Sequence, residues 1–242
     1  MHVDLFLTPL PFTKAVLDGR TVVVIDVLRA CTSICAALLA GARGVIPTDG
    51  PGEAGDMRLK IGADMTVVAG ERDGVKLESF NFGNSPSEFT RESVGGKYVV
   101  MTTTNGTAIL SRSFKSDPVF AAGLVNVSKV AERVARVNRD VVVVCSGQDG
   151  GFSIEDTICG GMLIHLLSTA HQKQVTVNDA GSLALLLYRT NKTAIKQTLE
   201  QGEHGRFLTS LGFGRDVETA ADVDSMPVVP ILRDGRLVLD EN

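Results

Sequence analysis

Three apolar runs in this chain each end in residues able to hold an ion. Tyr98-Val99-Val100-Met101 leads into Thr102-Thr103-Thr104-Asn105-Gly106-Thr107. Val22-Val23-Val24-Ile25 leads into Asp26-Val27-Leu28-Arg29. Val141-Val142-Val143-Val144 leads into Cys145-Ser146-Gly147. Each reads as a buried strand opening into a turn and then a helix. Such a junction offers backbone N–H groups, hydroxyls and a positive helix end to an anion. Three in one chain point to a shared anion site.

Acidic side chains stand at the same kind of place. A carboxylate at a strand tip, as Asp26 is, can hold a metal or attack phosphorus. It can also merely cap the following helix, with Arg29 paired to it. Glu71-Arg72 lies at another strand end, where the Arg fork suits phosphate, sulfonate or carboxylate; a structural ion pair is the alternative. Glu155-Asp156 opens a helix after a Gly-rich loop. Adjacent carboxylates there suit a hard cation such as Mg²⁺, or simply favour the helix N-terminus. Ser146, Gly147 and the Gly150-Gly151 pair bring backbone close to an anion or form a plain turn. His165 and His171 are six apart, which is not metal spacing, and read as structural; His2 and His204 have no companion signal.

Several phosphate chemistries are excluded. The chain has no G-x-x-x-x-G-K-[ST] and no G-x-G-x-x-G after its first strong strand. Cys145 has no Arg six residues on, and Asp26 has no Asp two residues on.

The elements that must position these residues alternate. Strands are expected at Val3 to Leu7, Thr21 to Ile25, Val45-Ile46, Thr66 to Ala69, Val119 to Ala121 and Val141 to Val144. Helices are expected at about Ala30 to Ala40, Glu53 to Lys60, the stretch ending near Ser113, and Val127 to Val137, whose apolar positions recur at three- and four-residue steps. A loop is expected from Arg72 to Gly83. Ser85 with Glu88, and Ser153 with Asp156, resemble capping boxes. Asp179 to Phe213 reads as mostly helical. Val228 to Leu239 reads as a hairpin turning at Asp234-Gly235, placed at a sheet edge by Pro227 and Pro230. Strand–helix alternation to about residue 170 argues for a largely parallel sheet covered on both faces. One domain over 1–242 is expected, with a candidate lobe boundary near 175.

Composition narrows the function. The 242 residues are 44% hydrophobic and 21% charged with a net charge of −4, and lack Trp. This argues against general nucleic-acid binding, which wants a basic surface. No stretch approaches the roughly 18 apolar residues of a membrane span, and Met1-His2-Val3-Asp4 lacks a signal-peptide pattern, so a cytoplasmic protein is expected. The four cysteines form no C-x-x-C pair and read as buried free thiols. A homodimer is the expected association, from base rates alone.

Taken in order, Asp26-Val27-Leu28-Arg29-Ala30, Gly70-Glu71-Arg72, Phe82-Gly83-Asn84-Ser85-Pro86, Thr103-Thr104-Asn105-Gly106-Thr107 and Cys145-Ser146-Gly147 followed by Glu155-Asp156 resemble the 2-phosphosulfolactate phosphatases. Two departures stand out: Asn81 where members often carry Asp, and Cys31 with Ser33 where members tend to have Thr. The resemblance implies a three-layer α/β/α fold with a mostly parallel, mixed sheet. It implies Mg²⁺-dependent hydrolysis of 2-phospho-3-sulfolactate to 3-sulfolactate and phosphate, a step toward coenzyme M in methanogens. On that footing Asp26, Arg29, Glu71 and Arg72 are the expected catalytic residues. Asn84, Ser85, Thr103, Thr104, Asn105, Gly106, Thr107, Ser146 and Gly147 are expected to bind substrate, and Asp26, Glu71, Glu155 and Asp156 to hold the metal. The rivals are a phosphatase of another small phosphorylated acid and an anion-binding domain without turnover.

Overall fold

The computed structural model describes residues 1–9, 17–104, 106–112 and 118–240. Its elements follow the expected alternation: β1 (His2–Phe6), β2 (Thr21–Ile25), α1 (Ala30–Leu39), β3 (Gly44–Pro47), α2 (Pro51–Ile61), β4 (Thr66–Arg72), β5 (Val75–Lys76), α3 (Arg91–Val94), β6 (Tyr98–Thr102), α4 (Gly106–Arg112), β7 (Val119–Ala122), α5 (Val127–Val137) and β8 (Val141–Cys145). Then come α6 (Ile154–Thr169), β9 (Thr176–Val177), α7 (Asp179–Asn191), α8 (Ile195–Gln201), α9 (Glu203–Ser210), α10 (Gly214–Ala221), β10 (Pro230–Arg233) and β11 (Arg236–Leu239). The runs that read as strands do so for a simple reason. Every residue of β2 and β8 is buried, and β-branched side chains pack well in a sheet covered on both faces. Helix α5 buries Val127, Val130, Ala131 and Val134 on one face and ends at Asn138 in the left-handed conformation.

One mixed sheet runs β5-β4-β6-β3-β11-β10-β7-β2-β8-β1-β9. Two parallel wings make it up: β4, β6 and β3 on one side, and β7, β2, β8, β1 and β9 on the other. The β10–β11 hairpin joins them, antiparallel to both, with one ladder pair on each side, Ile231 with Phe120 and Leu237 with Val45. Its turn is as read, with Asp234 and Gly235 both at positive φ. Its place is not: the hairpin is central, not at an edge. Pro230 is tolerated there because it is the first residue of its strand. The expected loop after Arg72 also contains a hairpin, with Asp73 and Gly74 at positive φ turning β4 into β5.

Alternation shows how the sheet is wrapped. Val22 and Val24 of β2 share a core with Ile34 of α1, Ile109 and Leu110 of α4, and Val99 and Met101 of β6. Val23 and Ile25 face the other way, into Val130, Val134, Ile158 and Leu163. On the far wing Val68 and Val100 pack with Ile46 and Ala54. Helices α1 and α4 are therefore held between the two wings, with further helices outside. Three antiparallel steps reverse the strand direction between the wings. The ends of β2, β4, β6 and β8 nonetheless meet at one cleft, lined by Asp26, Glu71, Thr103 and Gln148.

Candidate active site

Asp26 follows β2 and is buried. Its Oδ1 accepts the Ala30 N–H at 2.9 Å, capping α1. Burial is the main force pushing its carboxyl up, to about 6, and the charges of Glu71 and Glu155 add to it. The Ala30 N–H and His204 work against the shift. Asp26 thus senses two carboxylates that are 45 and 129 residues away in sequence.

The strand-end amides expected to receive an anion are already satisfied by the protein's own oxygens. Asp156 accepts from Val27 N–H at 2.8 Å and from Gly147 N–H at 3.0 Å. It therefore ties β2 to β8 and is not the cap of its own helix that its spacing from Ser153 suggests. Burial, then Asp26 and Glu155, push its carboxyl well up. Glu71 accepts from Gly74 N–H at 2.8 Å and from Thr104 N–H at 2.9 Å, and so fixes the β4–β5 turn to the loop after β6. Thr103 N–H donates to Thr107 Oγ1 at 2.9 Å. At Gly147, φ is +63° and a Cβ would stand 2.1 Å from the Gly151 carbonyl, so glycine is required by both torsion and space.

Arg29 does not pair with Asp26. Its guanidinium donates to Asp216 at 2.8 Å and to the Gly74 carbonyl at 3.0 Å, and lies 4.4 Å from the Phe213 ring centroid. Asp216 also accepts from Ser85 Oγ at 2.7 Å. Neither Asp216 nor Phe213 belongs to a motif; no local signal marks them. His204 is also new to the site. Its Nδ1 sits 3.2 Å from Glu155 Oε1, and only the tertiary packing of α9 brings it there.

The cleft has a volume of about 410 Å³ and is walled by Asp26, Arg29, Glu71, Asn84, Thr103 and Thr104, with Asp73 and Gly74 of the hairpin. Gln148, Asp149 and the α9 residues Glu203, His204 and Phe207 close the opposite side. Glu155 opens onto an adjoining cavity of about 380 Å³ that shares His204 with the cleft. Arg72 is not brought to the cleft wall; it donates to the Glu71 carbonyl at 3.2 Å and forms no ion pair with its neighbour's carboxylate among the described residues. Ser85, Thr107, Ser146 and Gly147 lie behind the wall, buried or bonded as above, and Gly106 begins α4. Asn105 lies outside the described residues.

The donor set bears on a metal. Asn84 Oδ1, Thr102 Oγ1 and Ser146 Oγ are buried with no partner among the described residues. Such orphans call for an explanation in a native structure. Asp26 and Asp156 are desolvated, and the carboxylates around them raise their proton affinity further, which is the environment a hard dication relieves. Among the described residues no three His, Cys, Asp or Glu side chains form a ready-made cage. Mg²⁺ does not require one, since it takes one or two carboxylates and completes its shell with water and substrate oxygens. The set fits Mg²⁺ in that manner.

Comparison with known proteins agrees in one direction. The family model described as 2-phosphosulpholactate phosphatase matches residues 7–235. A protein from Carboxydothermus hydrogenoformans named probable 2-phosphosulfolactate phosphatase is 36% identical over 244 residues, covering 100% of this chain and 98% of that one. Proteins of the same name from Symbiobacterium thermophilum and Clostridium acetobutylicum are 36% and 34% identical, over 93% and 98% of this chain and 96% and 100% of their own.

Proposed function

The chain belongs to the 2-phosphosulfolactate phosphatase family, and from that premise we propose that it hydrolyses the phosphate ester of 2-phospho-3-sulfolactate, giving 3-sulfolactate and phosphate, with Mg²⁺ as cofactor. One observation carries the Mg²⁺ part. Among the described residues the cleft wall holds Asp26, Glu71, Asp73, Asp149 and Glu203, and its one Arg is already paired with Asp216. A substrate bearing phosphate, sulfonate and carboxylate cannot enter such a field uncompensated.

Asp26 and Glu71 would hold the cation, with Glu155 reached from the adjoining cavity; Asp156 shapes the site through its two amide bonds. Bound there, Mg²⁺ would offset charge on the phosphate oxygens as the ester bond breaks. Arg29, Thr103, Thr104 and Asn84 line the space an anionic substrate would occupy; Thr103 and Thr104 give their donors to Thr107 and Glu71, so Arg29 and the Asn84 amide nitrogen would orient it. The Oδ2 of Asp26 has no hydrogen-bond partner among the described residues, and acid-quench trapping of phosphoenzyme tests whether it receives the phosphoryl group. No described helix is long and apolar enough to cross a membrane.

Phosphate release from 2-phospho-3-sulfolactate and a panel of other phosphorylated hydroxy acids, with Mg²⁺ or with EDTA, tests the reading. Turnover fastest on the sulfonated substrate and abolished by EDTA supports it. Release from none of the panel leaves an anion-binding domain, and equal rates in EDTA remove the metal.

A further inference from the structure

Arg29 and Asp216 form an ion pair with side chains only 2% and 6% exposed. A pair this buried is not explained by stability. Desolvating both ions offsets most of their attraction, and apolar replacements are often neutral or better. What the pair does supply is orientation. The guanidinium is held on three sides: by the Asp216 carboxylate, by the Gly74 carbonyl of the β4–β5 turn, and by the Phe213 ring across its face. A guanidinium has five N–H donors in a rigid fork. Asp216 and Gly74 account for the hydrogen bonds Arg29 makes among the described residues, and Arg29 still borders the cleft.

Asp216 is doubly committed. Its second oxygen accepts from Ser85 Oγ at 2.7 Å, next to Asn84, which lines the same cleft with its Oδ1 unpartnered. One carboxylate from α10 therefore fixes a cation and the loop that carries Asn84. We propose that Asp216 is a positioning residue: together with Phe213 it aims the Arg29 fork so that its remaining donors meet the anionic group of the substrate. This rests on the reading of the cleft as the site of a phosphorylated anion. Asp216 touches no substrate and acts only through Arg29 and Ser85.

The test is a double-mutant cycle read in KM, in kcat and in the affinity for inorganic phosphate measured by calorimetry. Asp216→Asn is expected to raise KM and the phosphate Kd at least tenfold while kcat changes less than threefold. In an Arg29→Gln background, where charge is removed from both partners, the added Asp216→Asn should change either quantity less than twofold. Asp216→Glu keeps the charge but moves it by one methylene, so it should give an intermediate KM with an unchanged thermal melt. It also serves if Asp216→Asn fails to fold. Additive losses in the cycle, or a KM and phosphate Kd unmoved by Asp216→Glu and Asp216→Asn, overturn the proposal. Wild-type protein in the same assay keeps the two readings apart: no turnover there refutes the phosphatase reading. The phosphate affinities still decide the role of Asp216, and a wild-type chain that binds no phosphate overturns that role too.

Discussion

Asp26→Asn should make the protein more stable and less active at once. Burial and two neighbouring carboxylates lift the Asp26 carboxyl from 3.8 to about 6. That difference corresponds to about 3 kcal/mol favouring the neutral form in the folded state. The sign follows from linkage. A raised acid pKa contributes stability that is present below about 3.8 and lost as pH rises through about 6. At pH 8 without metal the wild-type fold therefore carries a charge it disfavours. Asparagine removes that charge yet keeps an oxygen where Oδ1 accepts the Ala30 N–H.

Thermal melts in EDTA should place Asp26→Asn roughly 6–12 °C above wild type at pH 8, at 2–4 °C per kcal/mol for a chain of this size. At pH 4 the gain should shrink below about 1 kcal/mol, because Asp26 is then protonated in the folded state and only about half ionised in the unfolded one. Adding Mg²⁺ at pH 8 should raise the wild-type Tm and close the gap, since a ligand that binds only the folded state stabilises it. Phosphate release by the variant should fall by orders of magnitude. A variant that melts at or below wild type at pH 8 in EDTA refutes the burial argument. Near-wild-type turnover removes Asp26 from the chemistry.

Four further outcomes follow from the site. Glu71→Ala strands the Gly74 and Thr104 amides and should lower stability by about 1–3 kcal/mol, read by urea melts, together with activity. Gly147→Ala forces a Cβ to 2.1 Å from the Gly151 carbonyl at φ +63°; a Tm drop matching at least about 1–3 kcal/mol is expected, and a neutral melt would contradict the geometry. Arg29→Ala leaves Asp216 buried and unpaired, which should cost about 3–5 kcal/mol and raise KM; an unchanged KM counts against Arg29 meeting substrate. Arg72→Ala, with its side chain off the cleft wall, should leave KM and kcat within about twofold of wild type, so a large loss would show that Arg72 reaches the substrate.

Local signals carried much of the fold. The β-branched run Thr21 to Ile25, the stripe of α5 and the Asp234-Gly235 turn each announce themselves because period and turn chemistry are properties of a few neighbours. Where the hairpin docks is not such a property. Pro230 looks like an edge signal, yet opening a strand satisfies the same constraint in the middle of a sheet. The strand-end acids were legible as a set, but not that they would consume the amides beside them. The spacing of Asp26 and Arg29 offers, as one alternative, a helix cap with the two paired; the cap to Ala30 is there, but the distant Asp216 takes Arg29. His204 and Asp216 carry no motif, since long-range packing of α9 and α10 alone brings them to the cleft.

The central hairpin has a consequence for biogenesis. Residues 230–239 follow the other described strands, yet within the sheet they are what joins β3 to β7. During synthesis both wings can form before the bridge exists, each leaving an unprotected edge that must wait for the final strands. Such edges invite pairing with other chains. Slow translation or loss of these last strands should therefore yield aggregates of intact half-sheets instead of a shortened but working protein.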